Sequence, residues 1–245
     1  MDIQVLQDPD ELGRSAAEAV ADKLRERPGS VILLPTGSTP LGMYRCLIDL
    51  HIEQDLSFSR ATFFNLDEYL SLPPDHPASY RRYMEENFYC CVDADLDRVH
   101  VPNGSAPDPE AECGRYEEAI ERAGGADLCV LGIGRNGHIG FNEPGAPFDS
   151  RTRVVRLAES TRRVNAEDFE GNRAPERALT VGMGTIFESK KILLLASGEN
   201  KADAVAEAVE GPVTEEVPAS VLQRHPNVTF LLDRAAASRL GKGAS

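Results

Sequence analysis

The chain has 245 residues, 41% hydrophobic and 27% charged, with 40 acidic against 26 basic side chains and a formal charge of −14. That length can bury a substantial core, and the acidity argues against a nucleic-acid backbone or an anionic membrane as the main partner. A small anionic substrate stays open, because a pocket can be locally positive. Cys46, Cys90, Cys91, Cys113 and Cys129 form no C-x-x-C pair and no metal-ligand spacing, and their odd number points to free thiols in a reducing compartment. The N-terminal segment lacks the basic and apolar regions of a signal peptide. No stretch approaches the ~20 apolar residues of a membrane helix. The expected location is cytoplasmic.

In chain order, Ile3–Val5 reads as a short strand, and Asp8 to Arg27 carries apolar residues at helical spacing, with Asp8 or Asp10 as N-cap and Pro28-Gly29 as its stop. Val31–Leu34 is a buried strand, followed by Pro35-Thr36-Gly37-Ser38-Thr39-Pro40 and a helix through Leu41 to His51. Ala61–Leu66 is a further strand, running into Asp67-Glu68-Tyr69. Helices are expected over Ala78–Phe88 and Glu110–Arg122. Leu128–Leu131 is short and apolar, and breaks into Gly132, Gly134, Gly137 and Gly140 interleaved with Asn136, His138, Asn142 and Glu143. Ser150 to Arg177 is rich in charge with no clear period, as a functional or mobile segment would be. Strands at Leu179–Val181, Ile192–Leu195 and Val228–Leu232, with a helix over Lys201–Val209, complete the series. Alternation of this kind predicts an α/β fold: an open, mostly parallel, Rossmann-like sheet with helices on both faces. One domain over 1–245 is expected, with 150–177 as a lid.

Three polar clusters follow apolar strands: Thr36 to Thr39, Asp67 to Tyr69, and Arg135 to Glu143. In a parallel sheet all three open on one edge, where ligands bind. Backbone N–H groups and three hydroxyls in the first cluster suit a phosphate or carboxylate at a helix N-terminus. Helix capping by Ser38 or Thr39 is the alternative. Asp67 at a strand end is either a general base or a capping carboxylate. His138 can exchange a proton near neutral pH, and Glu143 is placed to orient it or balance its cation.

These motifs resemble those of the glucosamine-6-phosphate deaminases, within the wider superfamily that includes the 6-phosphogluconolactonases. The resemblance rests on Leu34-Pro-Thr-Gly-Ser-Thr-Pro40, Asn65-Leu-Asp-Glu-Tyr69 and Gly132-Ile-Gly-Arg-Asn-Gly-His-Ile-Gly-Phe-Asn-Glu-Pro144. It continues through Ser150-Arg-Thr-Arg153, Ala178 to Gly184, Ala208 to Gly211 and Leu222 to Pro226. The first motif is shared with the lactonases, whereas the other two long ones are more specific to the deaminases.

The resemblance implies conversion of an amino-sugar phosphate to fructose 6-phosphate and ammonia, without metal or organic cofactor. His138 would assist ring opening, Asp67 would move a proton from C2 to C1, and Glu143 with Asn136 would hold the imidazole. Thr36, Gly37, Ser38, Thr39 and Lys201 would take the phosphate. On the same scaffold a sugar-lactone hydrolase would use His138 to activate water, and a non-catalytic sugar-phosphate-binding regulator would need no acid/base set.

Two departures stand out. Many members carry aspartate where this chain has Asn136, and the arginine that clamps the phosphate falls at Glu167. Arg162, Arg163 or Arg173 are the candidates to replace that arginine. Arg153 matches part of the family's activator site but Val155 and Arg156 do not obviously reproduce it, so no allosteric activation is claimed. The short tail after Leu240 resembles the less elaborately assembled members, with a homo-oligomer left open.

Overall fold

The computed structural model of the chain describes residues 1–164, 166, 169 and 173–241, Val164 by its backbone only. The first half contains β1 (Asp2–Leu6), α1 (Pro9–Glu26), β2 (Val31–Leu34), α2 (Leu41–Gln54), β3 (Thr62–Asn65), β4 (Asp67–Tyr69), α3 (Tyr80–Asn87), β5 (Val99–His100) and α4 (Pro109–Arg122). The second contains β6 (Leu128–Gly132), β7 (Arg153–Arg156), α5 (Glu159–Val164), β8 (Arg177–Thr180), α6 (Met183–Phe187), β9 (Ile192–Ala196), α7 (Ala202–Glu210) and β10 (Val228–Asp233). Among the described residues, no helix is long and apolar enough to cross a membrane.

Seven strands form a sheet in the order β1-β10-β9-β6-β2-β3-β5, every neighbouring pair parallel. Its central strands are apolar on both faces, as a sheet covered twice requires. Period-two alternation sorts them: Val31 and Leu33 of β2 join one core with Tyr116 and Ile120 of α4 and Val205 of α7. Ile32 and Leu34 join the other with α1, α2 and Met84 of α3. The expected open α/β sheet with helices on both faces is therefore observed. Asp8 caps α1 by accepting from Glu11 N, as read from the sequence.

A second sheet, antiparallel and ordered β4-β8-β7, was not anticipated. Asp67-Glu68-Tyr69, read as a polar loop after a strand, is itself a strand paired with Thr180-Leu179-Ala178. Leu179–Val181 was expected in the main series, but its strand β8 lies in this small sheet instead. The stretch 150–177, read as lacking a period, contributes β7 and α5. Four-residue strands with charged ends leave too short a pattern to read.

The crossover brings the chemistry together. From β2 the chain turns to β3 on one side, and from β6 it continues to β9 on the other. Loops leaving the carboxyl ends of β2 and β6 diverge there and leave a crevice between them.

Candidate active site

The crevice is a cleft of about 530 Å³, lined by Thr36, Gly37, Ser38 and Thr39 after β2, Asp67 after β3, and Arg135, Asn136 and His138 after β6, with Lys201 alongside. That volume suits a small-molecule ligand such as a hexose phosphate. All three polar clusters therefore meet in one place. Glu143 stands behind His138 and does not line the cleft.

The loop after β2 owes its shape to Gly37, whose φ of 100° is a left-handed conformation costly for other residues. It is tied down by Tyr44 Oη, which donates to Pro35 O at 2.5 Å, and Tyr83 Oη, which donates to Gly37 O at 2.6 Å. The N-cap of α2 is Pro40, with no side-chain capping bond. Capping by Ser38 or Thr39, the alternative open at the sequence level, is not what these hydroxyls do. They face the cleft beside the first turn of a 14-residue helix, whose dipole favours an anion there.

Asp67 opens β4, where the chain passes from one sheet to the other. Leu66 N donates to Leu34 O at 3.1 Å, and Val181 N donates to Leu66 O at 2.7 Å, so the residue before it is held from both sides. The Asp67 carboxyl is 6% exposed, and its Oδ1 is buried with no hydrogen-bond partner. Burial, with the neighbouring Glu68 charge adding to it, pushes the carboxyl up to about 8. A capping carboxylate would be hydrogen-bonded and acidic; this one is weakly acidic, with an unpartnered oxygen, and lines a cleft.

The loop after β6 closes tightly, Gly134 N donating to His138 O at 2.8 Å and Gly137 N to Gly134 O at 3.1 Å. The imidazole packs flat on Gly134. His138 Nδ1 lies 2.7 Å from Asn136 Oδ1 and 3.4 Å from Glu143 Oε2. Asn136 Nδ2 donates to the same Glu143 Oε2 at 2.8 Å, and Thr161 Oγ1 donates to Glu143 Oε1. An amide turned the other way would set its oxygen against the carboxylate, so the network assigns the proton to Nδ1 of neutral His138. Nε2 is then the atom free to exchange a proton. Burial raises the Glu143 carboxyl, but the His138 contact and the Thr161 and Asn136 bonds outweigh it and hold the group down at about 2. Glu143 is thus a fixed negative charge behind the ring.

Lys201 Nζ donates to Ile133 O at 2.7 Å, and burial together with the nearby Arg135 charge depresses its pKa. Among the described residues neither cation is paired with a carboxylate, an arrangement that favours an anion. Of the three arginines considered as replacements, Arg163 lines the cleft. Arg162 instead reaches Glu176 at 3.7 Å, and Arg173 lines a separate cavity with His76 and Phe169. Glu167 lies outside the described residues.

Sequence reading missed Tyr80, Phe141, Thr161 and the exposed Arg135, which all meet the cleft. Only Arg135 and Phe141 lay within a motif already singled out. Tyr80 and Thr161 arrive on α3 and α5 from distant parts of the chain, and no local signal marks them. Among the described residues, no three His, Cys, Asp or Glu side chains converge as a metal site would need.

Comparison with known proteins agrees with this arrangement. The sequence profile described as glucosamine-6-phosphate isomerases/6-phosphogluconolactonase matches residues 7–231. The chain is 49% identical over 230 residues to a glucosamine-6-phosphate deaminase of Thermoanaerobacter pseudethanolicus, covering 94% of this chain and 91% of that one. It is 50% identical over 239 residues to glucosamine-6-phosphate deaminase 1 of Bacillus subtilis, covering 97% and 99%. A solved structure described as a monomeric glucosamine-6-phosphate deaminase superposes with a TM-score of 0.96 at 50% identity, covering 98% of this chain and 100% of that one. A 6-phosphogluconolactonase from Trypanosoma cruzi shares the fold, at a TM-score of 0.79 and 23% identity. With the match running through all three loops of its cleft, the chain belongs to the glucosamine-6-phosphate isomerase/6-phosphogluconolactonase family.

Proposed function

We propose that the protein is a glucosamine-6-phosphate deaminase, converting glucosamine 6-phosphate and water to fructose 6-phosphate and ammonia. The observation that carries this reading is the unpaired, weakly acidic Asp67 carboxyl in the same cleft as the Glu143-backed His138. A lactonase needs a base for water; it does not need a second base suited to a carbon acid.

In the first step, His138 Nε2 passes a proton to the ring oxygen as the C1 hydroxyl gives one up, and the C1–O bond opens. Asp67 then takes the C2 proton, leaving an enolamine, and returns a proton to C1. Water adds to the resulting C2 imine and ammonia departs, which balances the reaction. Glu143 stays ionised throughout and favours the imidazolium when it forms. Asn136 orients the ring by its Oδ1. The Thr36–Thr39 loop, Lys201, Arg135 and Arg163 receive the phosphate, whose charge their positive end of the cleft complements. Nothing in these steps calls on a metal or organic cofactor.

We read 1–245 as one working domain and 150–177 as its lid, since Ser160, Thr161 and Arg163 of α5 reach the cleft. A cytoplasmic monomer accords with the five free cysteines and with the monomeric relative. Assaying ammonia release from a panel of amino-sugar phosphates, beside hydrolysis of 6-phosphogluconolactone, tests the reading. Ammonia from glucosamine 6-phosphate is expected, and lactone hydrolysis without ammonia would overturn it. In the same assay His138→Gln should slow the cyclic sugar far more than an open-chain analogue. Equal slowing would remove the ring-opening role.

A further inference from the structure

Glu68 follows Asp67 in β4 and points to the opposite face, away from the cleft, as alternation in a strand requires. It is 3% exposed, unusually buried for a carboxylate. Its Oε1 accepts from Tyr69 N at 2.8 Å and Tyr80 N at 3.0 Å, and its Oε2 accepts from Arg81 N at 3.0 Å. Tyr80 and Arg81 are the first two residues of α3, whose N-cap is already supplied by Ser79, accepting from Arg82 N. The carboxylate therefore satisfies helix donors that the cap leaves over.

Two consequences reach the cleft. Tyr80 is carried into its wall, stacked on Phe141 at 5.8 Å with Oη 3.2 Å from Tyr69 Oη. The strand that bears Asp67 is joined to the helix that bears Tyr80 through one side chain. We propose that Glu68 is a positioning residue for the proton transfer: its buried carboxylate locks β4 to the first turn of α3, and it sets a negative charge one residue from Asp67 on the opposite face of the same strand. The proposal rests on the deaminase reading, in which Asp67 must remove a proton from carbon, and a stronger base does so faster.

Burial and the Glu68 charge act on Asp67 in the same direction. Burial raises the Glu68 carboxyl as well, opposed by its bonds from Tyr80, Arg81 and Tyr69 N and by the Arg81 charge. The other titratable groups facing Asp67 are the phenols of Tyr44 from α2, Tyr80 from α3 and Tyr116 from α4, all raised by burial and so neutral in the working range. His138 and Arg135 from the loop after β6, Arg163 of α5 and Lys201 share the cleft with it. Around Glu68 stand Arg81 of α3 and, across a cavity of about 460 Å³, Glu112 and Arg115 of α4, which are paired with each other at 2.6 Å. Glu68 is thus the one carboxylate among these groups set against Asp67.

The test compares pH–rate profiles of wild type, Glu68→Gln and Ser79→Ala. Ser79→Ala weakens the same helix start without touching the charge. Wild type must first release ammonia; if it does not, the deaminase reading fails, and Glu68 is not the cause. Given that activity, Glu68→Gln should lower kcat about tenfold or more and move the ascending limb of kcat/KM down by about half a pH unit or more. Ser79→Ala should leave the limb where it is. A Glu68→Gln limb at the wild-type pH, or an equal shift in Ser79→Ala, overturns the proposal. If Glu68→Gln does not fold, Glu68→Asp decides: a lower kcat with KM within about twofold and an unmoved limb supports it, while a wild-type kcat or a change in KM alone overturns it.

Discussion

Gly134 carries the imidazole of His138 directly on its α-carbon. A Cβ at Gly134 would lie 2.3 Å from both Cε1 and Nδ1 of the ring. A side chain there would push the ring off its bonds to Asn136 and Glu143, which hold it by Nδ1. Gly134→Ala should therefore displace the imidazole while leaving the buried sheet intact. An ångström-scale misplacement of a catalytic group costs on the order of 10² in rate. Turnover of the variant, with its circular dichroism unchanged, checks this; wild-type turnover would show that the ring position is not critical.

Asp67→Asn should trade activity for stability. Folded Asp67 holds its proton up to about pH 8, whereas an unfolded carboxyl releases it near ~4. The native state therefore binds more protons across that window, and stability falls as pH rises through it. At alkaline pH the ionised group costs at most roughly 5 kcal/mol, an upper bound because water can enter the cleft. Urea unfolding should find Asp67→Asn more stable than wild type above about pH 8, and nearly equal below about pH 4. Equal stability at every pH would mean that the carboxyl is not strained by burial.

Glu143 has the opposite sign. Its folded pKa of about 2 lies below the ordinary carboxylate value, so its contribution is present above that value and lost as pH falls toward 2. The contribution is at most about 3 kcal/mol, most of it shared with His138, Thr161 and Asn136. Glu143→Gln should flatten the acid limb of stability between about pH 4 and 2. Asn136→Asp should retain activity within about tenfold but shift the pH–rate profile, because it replaces a donor to Glu143 by a second negative charge beside the ring. An unchanged profile would show that the asparagine is not coupled to the pair.

Lys201 is expected to act on binding more than on chemistry. Its Nζ is anchored on Ile133 O at the end of β6, facing the hydroxyl loop. Lys201→Ala should raise KM for the phosphorylated sugar about tenfold or more and leave kcat within about threefold. Loss of kcat with KM unchanged would move the lysine from the phosphate to the reacting end.

Much of this was legible in the residues. Apolar four- and five-residue runs such as Val31–Leu34, bounded by Pro28-Gly29 and Pro35, are too short for helices and read as buried strands, and polar clusters immediately after them had to share an edge once the sheet was parallel. Asp67, His138 and the Thr36–Thr39 loop followed from that logic. The small antiparallel sheet did not, because Asp67-Glu68-Tyr69 has no apolar alternation and gains its strand only by pairing with Thr180-Leu179-Ala178. The choice among Arg162, Arg163 and Arg173 was equally hidden: neighbours in sequence diverge on α5, Arg162 toward Glu176, and Arg163 to the rim of the cleft, where it pairs with Glu159. Thr161, which donates to Glu143 from 18 residues away, depends on the same packing.

The central claim is that Asp67 and His138 deaminate a phosphorylated amino sugar without help from a dissociable metal or cofactor. Desalted, EDTA-treated protein supplied with glucosamine 6-phosphate measures it most directly, with ammonia and fructose 6-phosphate counted together. The account predicts the two products in equal amounts, and a rate lowered by on the order of 10² to 10⁴ in Asp67→Asn. Absence of ammonia from the wild-type protein, or an undiminished rate in Asp67→Asn, would contradict it.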